Sequence, residues 1–200
     1  MRVAARGHVQ VISGCMFSGK TDELLRLLRR AEIARRRILL VRPTIDDRTE
    51  LEVVRSRSGA AFQSTAVRDP SEIETLAKDA WADVIAIEEA QFFPESLVDV
   101  VERLAAAGRN VVCCGLNLDF RGRPFGPMPR LLAIADDVRS LSAICTVCGE
   151  EATRTQRLID GRPAGADEPV VVVGGLAAES PTPRRETYEA RCRAHHELPW

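Results

Sequence analysis

Val9-Gln10-Val11-Ile12-Ser13-Gly14-Cys15-Met16-Phe17-Ser18-Gly19-Lys20-Thr21 is the stretch that decides the fold. Residues 9–12 form a short, mostly apolar run of the kind that becomes a buried strand of a parallel sheet. Residues 14–21 fit G-x-x-x-x-G-K-[ST] at every fixed position, and residues 22–35 continue with helical spacing. Leu24, Leu27, Leu28 and Ala31 make the apolar stripe of that helix, with Arg26, Arg29 and Arg30 off it. A glycine-permitted loop between such a strand and such a helix turns its backbone N–H groups inward around a polyphosphate. Gly14, Met16, Phe17, Ser18, Gly19, Lys20 and Thr21 are therefore the expected ATP- and phosphate-binding set. Lys20 reaches the terminal phosphates, and the Thr21 hydroxyl takes a place on Mg²⁺. The alternative is a strand-to-helix turn with no ligand, and the flanking elements favour the nucleoside triphosphate site.

Working outward, strands and helices alternate. Residues 36–41 read as a second strand, 69–80 as a helix opened by Asp69-Pro70, and 83–88 as a strand ending in acid. A helix opened by Pro94 runs to Gly108, and 110–115 form a further buried strand. This order predicts an α/β fold, a P-loop core around a mostly parallel sheet with right-handed connections. Residues 42–64 have poor periodicity and carry Pro43, Asp46, Asp47 and Gly59, the composition of a long functional excursion. After Ser140 the chain changes character, so we expect a core over 1–144 and a small second lobe over 145–200. Residues 177–185, rich in Pro and Arg, read as a surface loop.

Cys145-Thr146-Val147-Cys148 and Cys192-Arg193-Ala194-His195 form C-x-x-C and C-x-x-H, two short-spaced pairs joined by a longer connection. Cys145, Cys148, Cys192 and His195 are the donor set of a structural Zn²⁺ site, all four positions filled by protein and none left open for catalysis. His196 is adjacent, but His195 has the paired spacing. Cys113 and Cys114 lie in an apolar strand and read as buried, inert thiols. His8 has no partner in sequence and reads as a surface residue.

Composition bounds the function. The 200 residues carry a formal net charge of −1, which argues against a broad nucleic-acid or membrane surface. No apolar run is long enough to span a bilayer, and the first eight residues lack the apolar segment of a signal peptide, so a cytoplasmic protein is expected. Arg35-Arg36-Arg37 reads as a solvated helix end whose cations favour the negative pole of the dipole. With Arg184-Arg185 it is also the support for another reading, a P-loop ATPase or switch whose zinc lobe binds nucleic acid or protein. The absence of interleaved aromatic residues counts against that alternative.

A phosphate loop needs a second acid at the carboxyl end of a neighbouring strand. Glu88 and Glu89 supply two, and they alternate at the strand end, so they serve different roles. One faces the metal, and the other takes the proton of an acceptor hydroxyl.

Gly14–Thr21 with Glu23-Leu24-Leu25, then Glu88-Glu89-Ala90-Gln91-Phe92-Phe93, resemble the type II, cytosolic-type thymidine kinases. Gly115-Leu116, Asp119-Phe120-Arg121-Gly122, Phe125-Gly126 and the cysteine pattern extend the resemblance over nearly the whole chain. The resemblance implies transfer of the γ-phosphoryl group of ATP to the 5′-hydroxyl of thymidine, with Mg²⁺ accompanying ATP. It makes Glu89 the catalytic base and Glu88, usually Asp in the family, the magnesium-side acid with Thr21. Met16, Phe92, Leu116, Phe120, Phe125, Thr155 and Tyr188 match the positions that surround thymine, and flat apolar rings suit a pyrimidine face. The excursion resembles the family's lasso, in which Asp46 and Arg48 fit D-x-R, Thr49 stands for an aromatic residue, and Arg48 faces the transferring phosphoryl group. Ser56-Arg57-Ser58-Gly59 fit a second lasso element. Cys15 stands where the family commonly has Pro. The second lobe closes over the base near Gly174-Gly175 and Tyr188, and 177–185 lengthen the stretch between them. Feedback inhibition by thymidine triphosphate and a homotetramer are likewise implied by the resemblance.

Overall fold

The computed structural model describes residues 7–44, 51–55, 61–170 and 185–198. Seven strands build the central sheet: β1 (His8–Gly14), β2 (Ile38–Pro43), β3 (Leu51–Arg55), β4 (Ala61–Val67), β5 (Val84–Ile87), β6 (Asn110–Gly115) and β7 (Asp137–Leu141). Their order is β3-β4-β2-β5-β6-β1-β7. Every neighbouring pair is parallel except β3 and β4, which form an antiparallel edge. Helices α1 (Lys20–Ile33), α2 (Ser71–Asp79), α3 (Leu97–Ala106) and α4 (Met128–Ile134) cover the sheet.

The period-2 alternation of the strands divides the core between two faces. Val9, Val11, Leu39, Val41, Ile85, Ile87, Val111 and Cys113 pack with Ile73 and Ala77 of α2, with Leu97, Val98, Val101 and Leu104 of α3, and with Met128 and Leu131 of α4. Ile12, Leu40, Ala86, Val112 and Cys114 face the other way, onto Leu24, Leu25 and Leu28 of α1. Full burial of one such leucine is worth roughly 1.5–3 kcal/mol, so these two layers hold the strand ends in place.

Element boundaries differ from expectation for identifiable reasons. Helix α1 starts at Lys20 because Gly19 takes the left-handed conformation, at φ 82 and ψ 19, and its carbonyl accepts the first intrahelical bond, from Glu23 N–H. Helix α2 is entered through a capping box: Asp69 Oδ1 accepts from Ser71 N–H, and Glu72 Oε1 accepts from Asp69 N–H, both at 2.8 Å. Strand β5 stops at Ile87, where its register with β6 ends at Cys113, so both acids lie beyond the strand. The stretch read as one irregular excursion contains β3 and the start of β4, whereas Asp46, Arg48 and Thr49 and the 56–59 element lie outside the described residues. Helix α4 and β7 were not anticipated.

Arg35, Arg36 and Arg37 are exposed, as expected of a helix end, and Arg37 pairs with Asp83 at 3.1 Å. His8 is likewise exposed, 3.5 Å from Asp136. Past β7 the chain forms a short antiparallel pair, β8 (Ala143–Ile144) with β9 (Glu151–Ala152). A three-stranded sheet follows, in which β10 (Arg154–Ile159) lies between β11 (Arg162–Pro163) and β12 (Glu186–Arg191). Among the described residues no helix is long and apolar enough to cross a membrane.

Candidate active site

The carboxyl ends of β1, β5 and β6 meet where the strand order places these three side by side. The loop after β1 delivers the start of α1, so Lys20 and Thr21 sit at that helix's positive end. Lys20 Nζ donates to the Cys15 carbonyl at 2.8 Å. Burial pushes its pKa down, and the acids Glu89 and Glu88 oppose that shift. Thr21 Oγ1 donates to Glu88 Oε1 at 2.8 Å, joining two hard oxygen donors of the kind that hold Mg²⁺.

The two acids are held differently, as their alternation requires. Glu88 is 8% exposed, whereas Glu89 opens toward solvent from a left-handed backbone at φ 51 and ψ 40. Burial raises the Glu88 pKa, as does Glu89, while the Thr21 hydrogen bond, Lys20 and Arg42 lower it. Arg42, next to last in β2, had no role in the sequence reading. Its place at a strand's carboxyl end beside Glu88 is the signal that would have found it.

The sign of the Glu88 shift fixes a pH dependence. The native state holds this proton above the ordinary value of 4.5, so it binds more protons than the unfolded chain over that window. The contribution of Glu88 to stability is full below 4.5 and is lost as pH rises through the native value. Glu88→Gln is therefore expected to raise the thermal midpoint at neutral pH. Relief of one functional-site conflict is worth on the order of 1 kcal/mol, or roughly 3 °C in a chain of this size. Thermal melts of both proteins at acid and neutral pH check this, and a lower neutral midpoint for the variant contradicts it.

Met16, Phe17, Gly19, Lys20, Thr21, Glu88, Glu89, Phe92, Leu116, Phe120, Phe125, Thr155 and Tyr188 line one cavity of about 480 Å³. All seven residues expected around a pyrimidine are thus on its wall, together with both acids and the phosphate-loop pair. The volume lies within the roughly 300–1,000 Å³ usual for small-molecule sites. Phe92 and Phe125 meet edge to face with centroids 5.3 Å apart. The guanidinium carbons of Arg121 and Arg157 lie 5.2 and 5.3 Å from the Phe120 ring centroid, which fixes that wall. Asp119 and Val170 also line the cavity without having been assigned to it, as do Cys114 and Gly115. Asp119 Oδ1 accepts from Arg121 N–H and Arg123 N–H at 2.9 Å each, turning the chain that presents Phe120. Gly14 and Ser18 support the loop from behind, where Ser18 Oγ donates to the Cys15 carbonyl at 2.8 Å. Arg48 and Gly174-Gly175 lie outside the described residues.

The expected zinc ligands converge. One donor atom from each of Cys145, Cys148, Cys192 and His195 falls within 4.8 Å of every other. Cys148 and Cys192 sulfurs are 3.9 Å apart, and His195 Nδ1 is 3.8 Å from Cys145 and 3.2 Å from Cys192. Zn–S bonds of about 2.3 Å in a tetrahedron demand a sulfur–sulfur edge of about 3.8 Å, so the donors fit zinc. Burial alone would raise the Cys145 thiol, but N–H groups of Cys192, Cys148 and Val147 bring it to about 6, favouring the thiolate that binds metal. His196 turns away from the cluster, and its Nε2 donates to the Phe120 carbonyl at 2.8 Å. Cys113 and Cys114 are buried thiols as expected, and burial pushes Cys113 up to about 12.

This lobe also touches the phosphate loop. Met16 N–H donates to Thr155 Oγ1 at 3.0 Å, and the Cys15 thiol donates to the Ala152 carbonyl at 3.3 Å. Cys15 packs in one small cluster with Ala143, Cys145, Ala152 and Ala190.

Comparison with known proteins agrees with this geometry. The family model described as thymidine kinase matches residues 7–196. A curated thymidine kinase of Coprothermobacter proteolyticus is 53% identical over 193 residues, covering 96% of this chain and 92% of its own. With a phosphate loop, two divided acids and an aromatic-walled cavity at the carboxyl ends of the central strands, and with that match over almost its whole length, the chain belongs to the thymidine kinase family.

Proposed function

We propose that this chain transfers the γ-phosphoryl group of ATP to the 5′-hydroxyl of thymidine, giving thymidine monophosphate. The observation that carries the reading is the single cavity in which Lys20, Thr21, Glu88 and Glu89 face a ring-lined pocket sized for a nucleoside. Thymine lies against Phe92, Phe120 and Phe125, with Met16, Leu116, Thr155 and Tyr188 closing the rim. Glu89, the accessible acid, takes the 5′-hydroxyl proton as the oxygen attacks. Lys20 and the loop N–H groups neutralise charge on the phosphates, aided by Arg48. Thr21 and Glu88 hold Mg²⁺, which supplies electrostatic stabilisation of the transferring group. The acceleration comes from positioning and electrostatics, since Glu88 is buried and prepaired while Glu89 stays open.

Residues 1–144 carry the phosphate chemistry, and 145–200 form the lobe that completes the base pocket around a structural Zn²⁺. A cytoplasmic homotetramer inhibited by thymidine triphosphate fits the family, and neither nucleic acid nor membrane is a partner in this reading.

ADP release with ATP and Mg²⁺ tests the reading directly. Strong stimulation by thymidine, weaker stimulation by deoxyuridine and none by deoxycytidine is expected. One methyl group is worth roughly 1–3 kcal/mol in an apolar niche, so the thymidine preference is about 10- to 200-fold. Hydrolysis that ignores every nucleoside would instead favour an ATPase or switch.

A further inference from the structure

Among the described residues Gln91 contacts none of the proposed phosphate or metal groups, yet it is 2% exposed with both ends of its amide engaged. Its Nε2 donates to Glu89 Oε2, and its Oε1 accepts from Leu116 N–H at 3.0 Å. The geometry arises at the end of β5. Glu89 takes the left-handed conformation, and a single 3-10 turn over Ala90–Phe92, closed by Phe92 N–H on the Glu89 carbonyl at 3.0 Å, brings Gln91 back beside it. Two glycines clear the space. A Cβ on Gly115 would stand 2.5 Å from Gln91 Oε1, and one on Gly126, whose φ is 48°, would stand 2.2 Å from the Gln91 carbonyl oxygen.

We propose that Gln91 is a positioning residue for the catalytic base. By holding Glu89 Oε2, it turns Oε1 toward the nucleoside hydroxyl and ties that orientation to Leu116, on the cavity wall. An uncharged amide suits the task because the carboxylate needs a donor and the Leu116 N–H needs an acceptor. Leucine offers neither, and asparagine is one methylene short. A carboxylate at this position would keep the acceptor and lose the donor. The role rests on the kinase reading, in which Glu89 takes the proton.

Gln91→Leu and Gln91→Glu in the full-length protein, assayed with ATP, Mg²⁺ and thymidine, test the role. Misaligning a reacting group by about an ångström costs roughly 100-fold, so Gln91→Leu is expected to lose about that factor in kcat with thymidine KM within about 3-fold. Gln91→Glu keeps the bond to Leu116 and guards against a variant that fails to fold. It has no N–H to offer Glu89, so kcat should fall while thymidine KM stays within about 3-fold of the parent. Lys20, Glu88 and the Cys114 thiol also face Glu89, and none is altered in either variant. A Gln91→Leu enzyme with kcat within about 2-fold of the parent, a loss confined to KM, or an undiminished kcat in Gln91→Glu overturns the positioning role. If the unaltered protein gives no thymidine-dependent turnover, the kinase reading falls and takes this role with it. Parent turnover with unaffected variants overturns the positioning role alone.

Discussion

Glu89→Gln lowers thymidine-dependent turnover by roughly 1,000-fold, within the 10²–10⁴ range expected for loss of a general base, and leaves nucleotide affinity within about 2-fold. The substitution is nearly isosteric, and Glu89 lies open to the cavity rather than buried in the core, so neither packing nor the phosphate loop is disturbed. The amide cannot accept a proton at neutral pH, and the attacking oxygen must then lose its proton to water. Turnover and fluorescent-nucleotide binding, measured on the same preparation, separate chemistry from binding. Loss of both in parallel would sink the assignment of Glu89 as base. Glu88 provides the contrast, because its buried pairing with Thr21 ties it to the metal side.

Metal removal should have an effect of similar size through a different cause. The small lobe has little apolar material of its own: β8 and β9 are two residues each, and its buried cluster is Ala143, Cys145, Ala152 and Ala190 with Cys15 from the loop. Such a core cannot stand without a staple, and in comparable sites the metal supplies the folding free energy. Purified protein is expected to carry about one zinc per chain. Chelation, or Cys148→Ser or Cys192→Ser, should cost at least about 100-fold in thymidine-dependent turnover, because Thr155 and Tyr188 leave the cavity wall. Added zinc should restore the chelated parent but not the serine variants. Metal-free protein with full activity would refute the structural role.

The fold was legible where two periodicities were strong and punctuated. β1, α1, α2, β5, α3 and β6 follow from apolar runs bounded by Gly14, Asp69-Pro70, Pro94 and Gly108. Helix α4 escaped because it spans seven residues, 128–134, with Pro129 and Arg130 interrupting its stripe. Strand β7 escaped because its half-buried face carries Asp137 and Arg139 beside Leu141 while Val138 is exposed, so its apolar residues do not alternate onto one face. Strand β3 fell within 42–64 and β4 straddled its end, where polar Gln63, Ser64 and Thr65, with Ser64 buried, gave no apolar alternation to read. The β10–β12 pairing joins residues some thirty positions apart, and no local pattern encodes it.

The site was easier to read than the lobe around it. Phosphate loops and cysteine pairs are fixed by spacing, and all the expected pocket residues within the described chain fall on one cavity. Gln91 and Arg42 were missed because their meaning lies in what a turn or a strand end brings beside them. Boundaries erred where a backbone conformation, such as the left-handed Glu89, overrode the continuity of an apolar run.

Cys15 changes how the phosphate loop keeps its shape. A proline there would stiffen the chain locally, through its own ring, whatever the rest of the molecule did. A cysteine leaves the backbone free and relies on a thiol contact reaching across to Ala152, with Met16 anchored next to it on Thr155. Rigidity at the phosphates has thereby become a long-range property. A loosened metal lobe would soften the loop almost 140 residues earlier in the chain, and a nucleotide arriving there would sense whether the far end of the polypeptide is in order.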